Sequence, residues 1–373
     1  MNVALFLTYD MSLKDWDEKD ILDREISLYL QMSEKYSVNY TFITFGDERD
    51  YKYADKLKNI KILPAYAGNR KFNSKIFRFF NSFLIPFRLK KELKDINILK
   101  TNQLLGAWIP IILKFITKKP LIIRTGYDLL QFSLKERRGL SKYIFYYILT
   151  QIALWSASIY TVSSEDNYKF LKDKFWFNGH KLIKVYNWVE KSDYLNLENR
   201  YRNKILAVGR LESQKNYASL IKNLENFSLD LDIVGEGSLK NSLVKSAEEL
   251  KVNVSFLGTV SHNELLNLYS QYSYFVMFSK FEGHPKSLIE AMSKGCVPIV
   301  LNASYLDEII KNKFNGIILN SETESIGPII KSLNNNFDTL TELSLNAYKF
   351  SKKNYSIDRI LEKEYLFYQD LSL

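Results

Sequence analysis

The chain has 373 residues, 46% hydrophobic and 25% charged, a balance that excludes a disordered or fibrous protein and allows two domains, each with its own core. A single cysteine, Cys296, excludes a disulfide framework and favours the cytosol, and the histidines His180, His262 and His284 lie too far apart for a metal-ligand pattern. Net charge is +10 but lopsided: residues 1–185 carry 31 Lys and Arg against 19 Asp and Glu, and residues 186–373 carry 21 against 23, so an anionic partner is expected for the first half.

The start, "MNVALFLTYD", has neither a basic leader nor a small-residue cleavage site, and reads as a strand over 3–8. Further strands are predicted at 40–45, 60–63, 96–99, 121–125 and 159–163, with helical runs between them, as over 20–36. That alternation implies βαβ units and a parallel sheet covered on both faces. Residues 70–94, "RKFNSKIFRFFNSFLIPFRLKKELK", place Phe72, Ile76, Phe79, Phe80 and Phe83 on one helical face and Lys71, Lys75 and Arg78 on another. A basic amphipathic segment of this kind suits an anionic membrane surface, although Pro86 interrupts it. The uncharged run 143–162, "YIFYYILTQIALWSASIYTV", is long enough for a bilayer span. Its small, β-branched second half reads instead as a helix ending near Ser156 and a buried strand.

The polar stretch 190–203, "EKSDYLNLENRYRN", is the expected linker, between a first domain over 1–190 and a second domain over 200–355. Beyond it the pattern restarts, with strands at 204–208, 229–234, 252–256, 274–278, 297–301 and 317–319 and helices at 216–226, 239–250, 261–271, 285–294 and 305–312. Two doubly wound α/β domains, Rossmann-like and facing across a cleft, are therefore expected, with ligands outside the carboxyl ends of the strands.

Four segments of the second half follow such strand ends. "VGRLESQKN" turns at Gly209 and presents Arg210 and Lys215 beside a helix start, two cations suited to a diphosphate. "IVGEGSLKNSL" flanks Glu236 with Gly235 and Gly237. In "FSKFEGHPKSLIEAMSKG", Glu282 and Gly283 follow a strand, Pro285 fits a helix start and Gly295 its stop. The amides from Gly283 through His284, Ser287 and Leu288 would face an anion, while Glu282 and Glu290 would accept hydrogen bonds from sugar hydroxyls. "KFNGIIL", residues 313–319, closes beside this mouth.

Taken in order over residues 204–320, these segments resemble the motifs of the retaining nucleotide-sugar glycosyltransferases of family four, which have the GT-B fold. The E-x7-E pair is the most specific of them. The resemblance implies that Arg210 and Lys215 bind the diphosphate and stabilise the departing nucleotide, that Glu290 holds the ribose and that Glu282 meets the donor sugar. Gly209, Gly235, Glu236, Gly283, His284, Pro285, Ser287 and Leu288 would complete the nucleotide-sugar site, with no metal or other cofactor. Residues 1–190 would then be the acceptor-binding domain and 200–355 the nucleotide-sugar-binding domain, with residues 356–373 forming a helix that packs back on the first. The implied reaction moves a hexose-type sugar, UDP-linked in preference to GDP-linked, onto a glycan or lipid-linked acceptor in bacterial surface polysaccharide or lipopolysaccharide synthesis, in the cytoplasm or at the inner membrane face.

His284 departs from the family's usual large apolar residue. "KVYNWVE" has Trp188 where the family has glycine, and "YDMSLKDWDEKD" replaces a glycine-rich loop after the first strand. No acceptor-side histidine is present; Tyr127 and Asp128 in "IRTGYDLL" are the candidates there, with a helix cap the other reading of Asp128. Two other functions were weighed. A GT-B epimerase or phosphorylase would need acid/base groups or a cofactor lysine that the sequence does not display clearly. A nucleic-acid-binding protein lacks any supporting motif, so no nucleic acid partner is expected.

Overall fold

Runs such as "LIIRT" and "VPIVL" are buried along their whole length, which a strand achieves only in a sheet covered on both faces. A computed structural model describes every residue except Tyr127, Arg137, Arg138, Asn178, Leu195 and Leu373, and the side chain of His180. The chain divides into two units, Met1–Tyr186 with Ile360–Leu373, and Asn187–Arg359.

The first unit holds strands β1 (Asn2–Phe6), β2 (Asn39–Thr44), β3 (Lys61–Pro64), β4 (Ile98–Thr101), β5 (Leu121–Thr125), β6 (Ile159–Val162) and β7 (Leu182–Lys184). They form a parallel sheet in the order β3-β2-β1-β4-β5-β6-β7. The second holds β8 (Tyr201–Val208), β9 (Asp230–Val234), β10 (Val254–Gly258), β11 (Tyr272–Met277), β12 (Val297–Leu301) and β13 (Ile317–Leu319), in the parallel order β10-β9-β8-β11-β12-β13. Both sheets are doubly wound. The winding reverses between β1 and β4 in one and between β8 and β11 in the other, so crossover connections leave those carboxyl ends open to ligands.

The helices bury the faces that their spacing marks. Leu22–Tyr36 buries Leu22, Ile26, Tyr29 and Met32, and stops where Ser37 turns left-handed at φ 53°. The uncharged run resolves into a helix, Leu140–Ser156, followed by β6. Among the described residues, no helix is long and apolar enough to cross a membrane.

Three expectations need correction. The predicted helix over 305–312 is a single 3₁₀ turn, Ser304–Leu306. Buried Asn315 accepts from the Lys311 amide at 2.7 Å and donates to the Ile309 carbonyl at 3.1 Å, so its side chain takes groups that a longer helix would pair. The stretch 190–203 is no free linker. Ser192 donates to the Ser293 carbonyl, Arg200 donates to the Lys294 carbonyl at 2.7 Å, and Tyr194 reaches Ser344, all within the second unit. Finally, the basic face of 70–94 is not wholly exposed. Arg78 in the helix Lys75–Ser82 turns inward and grips Asp10 with two bonds of 2.9 and 2.7 Å, and Lys71 donates to the Phe45 carbonyl. Only Lys75 of the three cations faces solvent.

The helix Ile357–Asp370 carries Glu364 and Tyr368 into the first unit. There the Lys100 ammonium, on β4, meets Glu364 at 2.5 Å and donates to the Tyr368 hydroxyl at 3.0 Å, with both charged side chains almost fully buried. Removing one partner of a buried pair strands the other charge. Glu364→Ala should therefore lower unfolding free energy by about 3–5 kcal/mol in urea denaturation, and Lys100→Met with Glu364→Leu should recover most of that loss.

Candidate functional site

At the end of β8 the chain turns through Gly209, whose amide donates to the Val234 carbonyl at 2.9 Å. A Cβ at Gly209 would lie 2.6 Å from Lys215 Cε, so glycine is what lets the lysine stem cross the turn. The loop after β9 closes on the same point. A Cβ at Gly235, at φ 141°, would stand 2.2 Å from the Gly209 carbonyl oxygen, and one at Gly237 2.5 Å from that of Leu211. Leu211 donates to the Glu236 carbonyl and accepts from the Leu239 amide, both at 3.0 Å, which fixes one loop against the other.

Lys215 ends the short turn Ser213–Lys215, closed by Asn216 in the left-handed region at φ 56°. Gln214 reaches across to the loop after β11, accepting from the Lys280 amide at 2.9 Å and donating to the Phe281 carbonyl at 2.8 Å. Tyr305 donates to the Ser279 carbonyl at 2.8 Å and holds that loop from its other side. These ties set Lys215 Nζ 2.5 Å from Glu282 Oε1, with both side chains largely buried. The ion pair thus bridges the carboxyl ends of β8 and β11, where the winding reverses. Burial first, and the Glu282 charge second, push the phenols of Tyr217 and Tyr305 well up, so both stay neutral and Tyr217 donates to the Gly209 carbonyl. Arg210 is exposed on the same loop.

Beyond Glu282 the chain passes buried Gly283 and His284 and enters the helix Lys286–Ser293 with Pro285 at its cap, φ −69°. Gly295 follows the helix at φ 78°. Ser287 is half-buried, Leu288 belongs to the core and Glu290 is buried one turn into the helix. The His284 ring packs edge-on against Tyr355 with centroids 4.8 Å apart, and burial pulls its pKa down to about 3. Its carbonyl accepts from Asn187 at 2.7 Å. Trp188, where the family has glycine, is buried under Lys286, whose ammonium lies 4.3 Å from the ring centroid.

Gly209, Gly235, Lys215, Glu282 and Gln214 therefore meet at one switch point, while Glu236, in the loop after β9, is exposed and paired with Lys240 at the start of the next helix. Asp128 requires a correction. It is fully buried and caps the helix Leu129–Lys135, accepting from the Gln131 amide at 2.7 Å, with burial raising its pKa to about 6. The capping reading holds, and a buried cap has no access to an acceptor. Tyr127 lies outside the described residues. Among the described residues, no group of three His, Cys, Asp or Glu side chains is placed to hold a metal ion. The sequence gives no sign of Gln214, Tyr305 and Asn187, which carry no charge and act through long-range side-chain bonds to backbone carbonyls.

His284 gives a pH test. Unfolded, it titrates near 6.5; folded, it refuses the proton until about 3. Its stabilising contribution is whole above pH 6.5 and lost as pH falls towards 3, by up to ~1.4 kcal/mol per pH unit. His284→Phe should lose about 2 kcal/mol less than the parent between pH 7 and 5 in urea denaturation.

Comparison with known proteins fits this geometry. Residues 192–350 match the family described as glycosyl transferases group 1. The O-antigen chain mannosyltransferase RfbU of Salmonella typhimurium is 34% identical over 140 residues, 36% of this chain and 39% of that one. An Escherichia coli protein named UDP-Gal:alpha-D-GlcNAc-diphosphoundecaprenol alpha-1,3-galactosyltransferase is 33% identical over 34% of each chain. The chain thus spans well under half the length of these two relatives. The crystal structure of Anabaena Alr3699/HepE, in complex with UDP and glucose, aligns with a TM-score of 0.75 and 15% identity over 99% of both chains, a likeness of fold alone. The chain thus has two doubly wound sheets of the GT-B kind, and residues 192–350, which hold the ordered motifs, match the glycosyl transferases group 1 family.

Proposed function

We propose that the protein is a retaining glycosyltransferase that moves a hexose-type sugar from a nucleotide-sugar, UDP-linked in preference to GDP-linked, to a glycan or lipid-linked acceptor of a bacterial surface polysaccharide. The observation that carries this reading is the Lys215–Glu282 pair at the switch point of β8 and β11. It puts a cation and a hydroxyl acceptor side by side, which a nucleoside diphosphate joined to a sugar requires. The names of the two curated relatives support a surface-glycan role, and the second names a UDP-sugar and a diphosphate-lipid acceptor.

In this mechanism Glu282 holds Lys215 over Gly209 before the donor arrives. Lys215 and Arg210 then bind the diphosphate and stabilise its charge as the sugar–phosphate bond breaks. The amides at the start of the helix Lys286–Ser293 assist, Glu290 takes the ribose hydroxyls and Glu282 turns to the sugar. Fixed cations and amides meet the leaving charge, so no metal is needed. A lipid-linked acceptor would bring the first unit to an anionic membrane surface, with residues 70–94 as one contact. Exposed Lys75, Ile76, Phe77 and Phe80 support that contact.

Lys215→Ala should reduce kcat on the order of a hundredfold with the fold intact, measured as release of nucleoside diphosphate. Full activity in that variant would sink the assignment. A thermal-shift panel should show UDP raising the melting point more than GDP, and saturating EDTA should leave the turnover rate unchanged.

A further inference from the structure

The helix Leu140–Ser156 is apolar on more sides than the protein covers. Leu149, Ala153 and Leu154 pack into the core of the first unit. Leu140, Ile144, Ile148, Ile152 and Trp155 lie on another face, spaced by four, four, four and three residues, and all are exposed. Such spacing makes one continuous ridge, about 22 Å long at 1.5 Å per residue. A helix that is apolar all round is normally buried all round. Here the ridge carries no acidic residue, and Lys142 near its start is the helix's one charge. At the far end, Trp155 and Gln151 both donate to the Trp176 carbonyl at 2.9 Å, which pins the next loop so that the Trp176 ring stands 83% exposed.

The ridge has a neighbour of the same character. Phe145 meets Phe79 with ring centroids 6.0 Å apart, which sets the helix Lys75–Ser82 beside it. Beyond Phe79, the side chains of Ile76, Phe77, Phe80, Leu84 and Phe87 are exposed. Along this stretch of the chain the charge is one-sided. Residues 51–150 carry 21 Lys and Arg against 5 Asp and Glu, a balance of +16 in a chain of +10 overall. Exposed Lys75, Arg88, Lys90, Lys91 and Lys142 belong to that excess.

We propose that the Leu140–Trp155 ridge lies in the plane of an anionic lipid bilayer, its apolar side chains sunk among the upper acyl chains, with Trp155 and Trp176 at the headgroup level. The proposal rests on the membrane reading given above and changes its centre: a neutral helix inserts, and the basic segment 70–94 only steers. The uncharged run ends at Ser156 and turns into β6, so the helix lies on the membrane and does not cross it. Apolar burial supplies the lasting attachment, while surrounding lysines and arginines supply a salt-sensitive attraction to anionic headgroups. A second copy of the chain fits less well, because two such faces would bring their uncompensated positive charge together.

The test is co-sedimentation of the whole chain with sucrose-loaded phosphatidylglycerol–phosphatidylcholine vesicles and with pure phosphatidylcholine vesicles, at low and high salt. The wild type should bind the anionic vesicles, keep a substantial bound fraction at high salt, and shift its tryptophan emission to the blue. Ile144→Glu with Ile148→Glu should weaken binding about tenfold or more at either salt, because each charge must leave water. Both sites are exposed, so an unchanged cooperative thermal unfolding transition without ligand will report an intact fold. Lys90→Glu with Lys91→Glu should weaken binding at low salt only. If that charge-reversal variant loses all binding while the ridge variant binds like the wild type, the ridge proposal fails and the basic-segment contact survives. If the wild type binds no vesicles, both fail. A wild-type dimer that the ridge variant dissolves, without vesicle binding, would make the ridge a self-interface and overturn the proposal. No donor or acceptor is present, so none of these results depends on the reaction assigned above.

Discussion

The second unit is organised around a backbone approach too close for any side chain. Gly235 abuts the Gly209 carbonyl and Gly237 abuts Leu211, so two loops that leave neighbouring strands become one rigid floor. Lys215 crosses that floor because Gly209 offers no Cβ to block it. Its charge would be costly at such low exposure without an opposite one, and Glu282 supplies it from across the switch point. Gln214 and Tyr305 then fix the loop that carries Glu282. Preorganisation of this kind matters because a cation already held in place stabilises developing charge without reorganising.

Much of that floor was legible in the sequence, for a local reason. A strand ending in glycine before a helix start is written in consecutive residues, so Gly209, Gly235, Glu282 and the helix stop at Gly295 could be located from spacing alone. The parallel sheets were legible because both faces of each strand are covered, leaving unbroken apolar runs. What spacing could not supply was the partner. Asp128 before a helix is written the same way whether it caps or catalyses, and its full burial decides. Arg78 lies on the polar side of an amphipathic pattern, yet its carboxylate, Asp10, is 68 residues away and turns it inward. His284 looked like the odd residue of a catalytic corner. Its ring instead fills space against Tyr355, from the helix Phe337–Tyr355.

The same limit explains residues 143–162. Hydropathy registers that a run is apolar, and periodicity separates helix from strand, but neither tells which apolar face the protein itself will cover. The helix Leu140–Ser156 buries one face and leaves another bare, a distinction made only by the neighbours it acquires on folding.

That distinction separates the two units. Among the described residues, Tyr201, Leu257 and Phe314 are the only exposed large apolar side chains of the second unit, and they are scattered along the chain; the rest belong to the first. Scattered apolar residues need no explanation, but a contiguous set does, because water penalises it in proportion to area. The first unit also carries the positive excess. A surface both apolar and basic lowers its free energy against an anionic, apolar-cored phase. The second unit spends its special residues on internal glycine contacts and one ion pair. Two sheets of the same winding are thus specialised by opposite means, one by what its loops bind to each other and the other by what its helices leave uncovered.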